Sequence, residues 1–373
     1  MMKVLYDSNI FDFQRYGGVS KCFCEVFKHY PESFEYELPL KVTKNIHLLE
    51  SGLFRCNKRE LLWEALCFWV KTGFSKIPTV LNINRKYNIE ILKKGDFDIL
   101  HHTFSDNYFL PYINNKPFIY TIHDMIPELY PDYFNMDDHW IKCRKPLCEK
   151  ASKVIAISEN TKKDVVRLFG LEPEKVVVVH HGGPEREVIS APSIIDVPYF
   201  LFVGTRTRYK NFMTLLDAFA EFAKKYDNIK LVCTGRPFSP EEIHSFEEKG
   251  IFDKVEHRFV SDYELKILYA HAIAFIYPSL YEGFGLPILE AFSCGCPTVL
   301  SNCSCFPEIG GDAALYFDTK EYAAISLLSQ LERVYNFSDN ERTSIIQKGY
   351  DRLKMFTWEQ SANKLCEVYK SVL

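Results

Sequence analysis

Two carboxylates, Glu282 and Glu290, bracket the run Gly283-Phe284-Gly285-Leu286-Pro287 inside the stretch Pro278 to Glu290, and this spacing suits a polyhydroxylated anion such as a sugar nucleotide. A carboxylate accepts hydrogen bonds from two neighbouring hydroxyls at once, which is what a ribose or hexose diol offers. Gly283 and Gly285 free the backbone for tight or left-handed turns, so that N–H groups can approach a ligand with no Cβ in the way. Pro287 suits the first turn of a helix, Ile288 to Cys294 continue it, and Gly295 is placed to cap it. The N–H groups at the start of that helix form an anion site fit for a diphosphate. The plainer alternative is a surface loop with two solvated glutamates ahead of an ordinary helix. The order of parts counts against it: a strand, a glycine turn and a Pro-started helix follow one another without a break.

The elements that would position these groups can be read outward from the loop. Ala272 to Pro278 is a short apolar run, read as a buried parallel strand, and open α/β sheets bind ligands at the carboxyl ends of such strands. Short apolar or β-branched runs alternate with helical patterns along the whole chain, the mark of parallel sheets with crossover helices. In the first half the clearest strands are Lys3–Tyr6, Ile99–His101, Phe118–Ile122, Lys153–Ile157 and Val176–His180. In the second half they are Tyr199–Val203, Ile229–Thr234, Lys254–Phe259, Ala272–Ile276 and Pro297–Ser301. Between the sets, His181 to Pro192 is rich in glycine, proline and charge with little periodicity, as a linker is. A chain of 373 residues is long for one core, and two domains fit it. Two doubly wound sheets joined there predict a cleft faced by the carboxyl ends of both.

The signature resembles the donor site of the retaining glycosyltransferases of family 4, which have the GT-B fold, and further stretches agree with it. Tyr6 to Ser20, with Gly17 and Gly18, resembles the family's first strand and the glycine loop beside the diphosphate. Tyr120 to Glu128 is similar to the strand end whose histidine, here His123, lines the sugar pocket, and Val154 to Ser158 to a later strand of the amino domain. Phe202 to Asn211 resembles the loop whose Arg and Lys, here Arg206 and Lys210, hold the donor phosphates. The resemblance implies an amino-terminal, acceptor-side Rossmann-like domain over 1–183. A donor-binding domain over 184–354 follows, and then a terminal helix over 355–373 that crosses back to the first. From the pattern alone, the apolar stripe Trp358, Ala362, Leu365, Cys366, Val368, Tyr369 and Leu373 would equally suit a helix packed on its own domain.

The implied reaction moves a hexose, mannose by analogy, from a nucleotide diphosphate sugar to a glycan or lipid-linked glycan, with retention of anomeric configuration and no metal or other cofactor. Its main task is to stabilise the charge that builds on the leaving phosphate. Arg206 and Lys210 would do so, Arg as a bidentate fork and Lys as a point charge; which of Arg206, Arg208 and Lys210 reach phosphate stays open, and two solvated cations in a loop are the alternative. By resemblance Glu282 contacts hydroxyls of the donor sugar, Glu290 the ribose, and Phe284, Leu286 and Val260 line the donor. Neither glutamate has the opposed placement of a double-displacement pair. His123 is catalytic by the same resemblance, although a histidine at a strand end is more often a satisfied structural group; Asp124 would contact the acceptor. An epimerase or another enzyme of this scaffold, and a catalytically silent sugar-binding subunit, are the competing classes.

Charge and cysteine content narrow the field. The net charge of −4 gives nucleic acid no electrostatic footing. No window approaches the roughly 20 apolar residues of a membrane span, and the amino end runs into a strand, so a cytoplasmic protein is expected. The twelve cysteines lack zinc-ribbon spacing, and most sit among apolar neighbours, as reduced, buried thiols do. Residues 53–94 differ from the rest. From Arg55 to Lys94 nine Lys and Arg face three Glu, among apolar side chains that include Trp63 and Trp69. Such a segment can seat on an anionic membrane, pack in the amino domain under solvated lysines, or serve the acceptor.

Overall fold

The computed structural model describes residues 2–54, 80–206 and 208–373. The chain falls into two compact units, one made of 1–182 with 358–373 and the other of 183–357.

The amino unit is built on a six-stranded parallel sheet. Its strands are β1 (Met2–Tyr6), β2 (Phe34–Glu37), β3 (Ile99–His102), β4 (Phe118–Ile122), β5 (Lys153–Ala156) and β6 (Val176–Val178), in the order β2-β1-β3-β4-β5-β6. Tyr6 sits opposite His101, and His102 opposite Tyr120. Parallel strands covered on both faces read as unbroken apolar runs, and Phe118–Ile122 is buried at every position. One face is covered by the helix Gly18–Lys28, which buries Phe23, Val26 and Phe27, and by the terminal helix Trp358–Lys370, which buries Ala362, Leu365, Cys366, Val368 and Tyr369. Each large side chain so buried contributes about 1.5–3 kcal/mol. The Tyr369 hydroxyl fixes the terminal helix in place, bonding Tyr6 Oη at 2.5 Å, Tyr30 Oη at 3.1 Å and His101 Nδ1 at 2.6 Å. Leu373, expected in the apolar stripe, lies beyond the helix and is exposed.

The carboxy unit holds a second six-stranded parallel sheet. Its strands are β7 (Tyr199–Phe202), β8 (Lys230–Cys233), β9 (Val255–His257), β10 (Ala274–Tyr277), β11 (Thr298–Ser301) and β12 (Leu315–Phe317), in the order β12-β11-β10-β7-β8-β9. The amphipathic helix Phe212–Lys225 buries Phe212, Leu215, Phe219 and Phe222 against it, Phe222 meeting Phe200 edge-on at 5.2 Å.

Each expected strand is present within two residues of its expected bounds, and the α/β class with two parallel sheets is borne out. The sequence reading missed β2 and β12, both short strands at sheet edges. Strand order reverses direction at one place in each sheet, between β1 and β3 and between β7 and β10. Loops that leave adjacent strands in opposite directions open a crevice, and such a switch point is where doubly wound sheets bind ligands.

Candidate active site

At the switch point of the second sheet the loops after β7 and β10 bring together two residues 72 apart in sequence: Lys210 Nζ lies 2.5 Å from Glu282 Oε1. Both side chains are mostly enclosed, 15% and 12% exposed, so their charges act in a weakly screened setting. The backbone holds them there. Gly204 turns with φ +116°, the short turn Arg208–Lys210 follows, and Asn211 takes a left-handed conformation to start the next helix. The Tyr209 carbonyl then accepts the Leu280 N–H at 2.8 Å, tying one loop to the other. Ser304 Oγ accepts the Glu282 N–H at 3.1 Å and donates to its carbonyl at 2.7 Å. The ammonium also lies 5.5 Å from the ring centre of Tyr277, whose hydroxyl is pushed well up by burial and by the Glu282 charge.

Directly after Glu282 the chain enters the helix Leu286–Ser293, with Pro287 in its first turn. Gly285 is its N-cap at φ +91° and supplies no side-chain cap. A Cβ at Gly285 would stand 3.1 Å from Ile288 Cδ1 and 3.2 Å from Phe306 Cε1, so a side chain there meets strain and crowding together. Phe284 is buried with its ring edge-on to Phe356 at 5.7 Å, and Leu286 is half-buried. Glu290 follows one turn into the helix, half-buried, and its charge helps burial push up the Tyr269 hydroxyl. Gly295 ends the helix at φ +67°. The glycine turn, the helix start and both carboxylates therefore form one continuous strand-loop-helix unit beside Lys210.

Arg206 is not part of this cluster. Its side chain has no exposure and its guanidinium is used inside the unit: Nε donates to Glu242 Oε1 at 2.8 Å, and Nη2 donates to the carbonyls of Arg236 at 2.6 Å and Pro237 at 2.9 Å. Glu242 is itself fixed as the third residue of a capping box with Ser239. In this arrangement the fork of Arg206, expected to hold a leaving phosphate, is engaged by a carboxylate and two carbonyls and braces the loop. Val260 follows β9, two strands from β7 at the sheet edge, next to Phe259, which is 92% exposed.

The remaining expected residues lie in the amino unit. Gly17 is the N-cap of the helix Gly18–Lys28, where a Cβ would strike Gln14 Oε1 at 2.6 Å, and that oxygen accepts the Ser20 N–H at 3.1 Å. Gly18 is exposed with open space around it. His123 follows β4 and lines a cavity of about 30 Å³, room for about one water. Its ring packs edge-on to Phe23 at 5.9 Å and stacks on His181 at 5.7 Å. His123 Nε2 is buried with no partner among the described residues. Burial, helped by His101 and Arg144, lowers its pKa to about 3, so the ring is neutral near pH 7. The Asp124 carboxylate accepts the Ile126 N–H at 3.0 Å, which shapes the same loop.

Two supports went unread in the sequence. Arg144 is buried, pairs with Glu128 at 2.6 Å and donates to the Asp124 carbonyl, which locks the loop carrying His123. Asp7 and His102, both fully buried, face each other at 3.1 Å across the first sheet's switch point. Asp7 Oδ1 also accepts the Thr103 N–H at 2.7 Å. The available signal for this pair was a polar residue just past β1 and another at the last position of β3. The basic aromatic stretch falls largely outside the described residues, Trp63 and Trp69 included. Of its described part, Arg85 pairs with Asp106 within the unit. Among the described residues ten cysteines are free, no cluster of His, Cys, Asp and Glu could hold a metal ion, and no helix is long and apolar enough to cross a membrane.

Comparison with known proteins bears on the family and the fold. The family model described as Glycosyl transferases group 1 matches residues 185–352, and the one described as Glycosyltransferase Family 4 matches residues 69–183. The chain is 29% identical over 294 residues to O-antigen chain mannosyltransferase B of Escherichia coli, covering 73% of this chain and 74% of that protein. It is 26% identical to the O-antigen chain mannosyltransferase RfbU of Salmonella typhimurium, covering 68% and 69%. Among solved structures, Anabaena Alr3699/HepE in complex with UDP and glucose superposes over the full length of both chains with a TM-score of 0.74 at 17% identity, which shows a shared GT-B fold.

Proposed function

This chain belongs to the group 1 glycosyltransferases of family 4, and on that premise we propose that it transfers a hexose, mannose first, from a nucleotide diphosphate sugar to a glycan or lipid-linked glycan, with retention and without a metal. The observation that carries the reading is the Lys210–Glu282 pair beside the helix start at Gly285. As the bond from the anomeric carbon to the diphosphate breaks, negative charge grows on the leaving oxygen. The Lys210 ammonium and the amide groups of the helix start supply fixed positive potential for it. Glu282, held by its backbone to Ser304, would accept hydrogen bonds from the donor sugar's hydroxyls, and Glu290 from the ribose diol. His123, neutral and with Nε2 unpartnered, would offer one hydrogen bond to the sugar. Gly17 and Gly18 would give backbone access to the diphosphate, and Gly283, Phe284, Leu286 and Val260 would shape the donor pocket. Asp124 is kept as an acceptor contact. Arg206 acts in this scheme only by bracing the loop that carries Lys210. Mannose is favoured because both O-antigen relatives are named mannosyltransferases. The same reading puts the enzyme in the cytoplasm, at the membrane face where a lipid-linked acceptor is presented.

The test is calorimetry of GDP, UDP, ADP and CMP with their sugar conjugates, with Glu290→Ala as control. Loss of hydrogen bonds to a carboxylate predicts binding weaker by about 10- to 100-fold in the variant. Equal binding by both proteins, or no nucleotide bound by wild type, removes the donor-site assignment.

A further inference from the structure

The switch point of the first sheet carries a feature of different chemistry. Phe13, the last residue of the short helix Asn9–Phe13 that follows β1, is 50% exposed and packs on Phe104, in the loop after β3, at 4.8 Å. Phe104 stacks on Trp140 at 6.2 Å with the planes 26° apart, and Phe134 sets its edge against Trp140 at 6.3 Å. The result is a continuous, partly exposed aromatic strip at the carboxyl end of a sheet, where a purely structural cluster would be covered. Polar groups border it. His139, next to Trp140, has its side chain 65% exposed and is held 3.6 Å from Asp106. Asp106 is in turn paired with Arg85, so the carboxylate that orients the imidazole is itself fixed. The base of the strip is tied together: the buried Asp7–His102 pair joins the segments that follow β1 and end β3, and Thr103 Oγ1 accepts the N–H of Ile10, in the Phe13 helix, at 3.1 Å. Asn9, fully buried at the start of the helix that ends in Phe13, has neither amide atom partnered among the described residues.

We propose that Phe13, Phe104 and Trp140 form a stacking platform for a pyranose ring of the acceptor glycan, with His139 hydrogen-bonding one of its hydroxyls. A pyranose presents a flat face of C–H groups, each polarised positive, and an aromatic face is negative, so the two attract while the hydroxyls point outward to polar neighbours. The strip has both parts. Its neighbouring charges, Asp106 with Arg85, are paired with each other, which suits a neutral sugar better than an anion. A lipid surface would use the aromatic residues but not the buried scaffold beneath them. The inference rests on the glycosyltransferase reading for its biological sense, although the binding step can be measured without turnover.

The experiment is saturation-transfer NMR of the full chain with methyl α-D-mannopyranoside, methyl β-D-glucopyranoside, methyl β-D-galactopyranoside and N-acetylglucosamine as probes, alongside nucleotide calorimetry. Saturation transfer to the C–H protons of at least one glycoside is expected. In Phe13→Ala affinity for that glycoside should fall about fivefold, Phe13→Tyr should restore it, and nucleotide affinity should stay at the wild-type value. Because Phe13 is half-exposed, the alanine variant keeps its core. If wild type binds nucleotide but none of the glycosides, or if Phe13→Ala binds them unchanged, the platform is wrong and the donor reading stands. If no nucleotide binds yet glycosides do, the donor reading fails and the platform survives. A loss in Phe13→Ala of co-sedimentation with phosphatidylcholine and phosphatidylglycerol vesicles, with glycoside binding intact, would overturn the proposal in favour of a lipid contact.

Discussion

Removing the charge of Lys210 separates its two possible duties, bracing the fold and stabilising a leaving group. In Lys210→Met the shape of the stem is kept, and Glu282 loses a partner 2.5 Å away while remaining 12% exposed. Stranding one member of a nearly buried pair costs about 2–3 kcal/mol, toward the low end of such pairs because a little solvent reaches it. For a unit of this size that lowers the midpoint of thermal unfolding by about 5–10 °C. The catalytic effect is of a different origin. An ammonium about 4 Å from a developing phosphate charge is worth about 4 kcal/mol at an effective dielectric constant of about 20. Glu282 offsets roughly half of that, leaving about 2–3 kcal/mol, or a loss of about 30- to 150-fold in kcat. The double variant Lys210→Met with Glu282→Gln removes both charges and should recover most of the stability. It should not recover kcat, since no cation has been returned. Nucleoside diphosphate release, followed by a coupled assay at saturating donor, reads the rate, and differential scanning calorimetry reads the stability. Recovery of both in the double variant would refute the leaving-group role and leave the pair a brace.

Three further outcomes are expected. Arg206→Lys gives up a fork satisfied by Glu242 and two carbonyls, so it should lose about 2–4 kcal/mol of stability while the folded fraction binds nucleotide normally; a variant as stable as wild type with weakened nucleotide binding would reverse that assignment. Burial raises the pKa of Asp12 to about 7, against 3.8 unperturbed, despite donors from Ser8 and Asn84. The folded state therefore holds the proton more tightly than the unfolded chain, and the stability this supplies is full below about pH 4 and lost as pH rises to about 7, at most about 4 kcal/mol. Asp12→Asn should flatten that slope in urea unfolding between pH 4 and 8, and identical slopes in the two proteins would count against it. Gly285→Ala, forced to φ +91° against Ile288 and Phe306, should cost about 1–3 kcal/mol and weaken donor binding in calorimetry.

What the sequence made legible follows from how each feature is encoded. The central strands are continuous apolar runs, so their existence could be read directly. The strand Phe34–Glu37 alternates aromatic and acidic residues at a sheet edge, and Leu315–Phe317 is three residues long; neither is separable from a loop without its neighbour. The glycine turn and Pro-started helix were readable because Gly285 and Pro287 are local devices. Lys210 and Glu282 could be named but not joined, since only the β7–β10 pairing makes them neighbours. The bracing contacts of Arg206 were hidden for the reverse reason. A cation in a glycine loop suggests phosphate, and its carboxylate partner is 36 residues away on a helix whose capping box gives no hint of it. The terminal helix showed its apolar stripe plainly, yet the hydroxyl of Tyr369 found its partners on β1 and β3.

That last contact bears on how the protein is made. The amino unit consists of residues 1–182 and 358–373, so its first segment lacks a covering helix until residues 358–373 have left the ribosome. At roughly 5–20 residues per second the interval is roughly 10–40 s. Throughout it, Phe23, Phe27 and the face of β1 stand without Leu365, Cys366 and Tyr369. The carboxy unit, being continuous, can complete its own core sooner. The order of synthesis and the order of completion are therefore opposite, and a nascent chain stalled before Trp358 should hold a finished second unit behind a first whose apolar face is still uncovered.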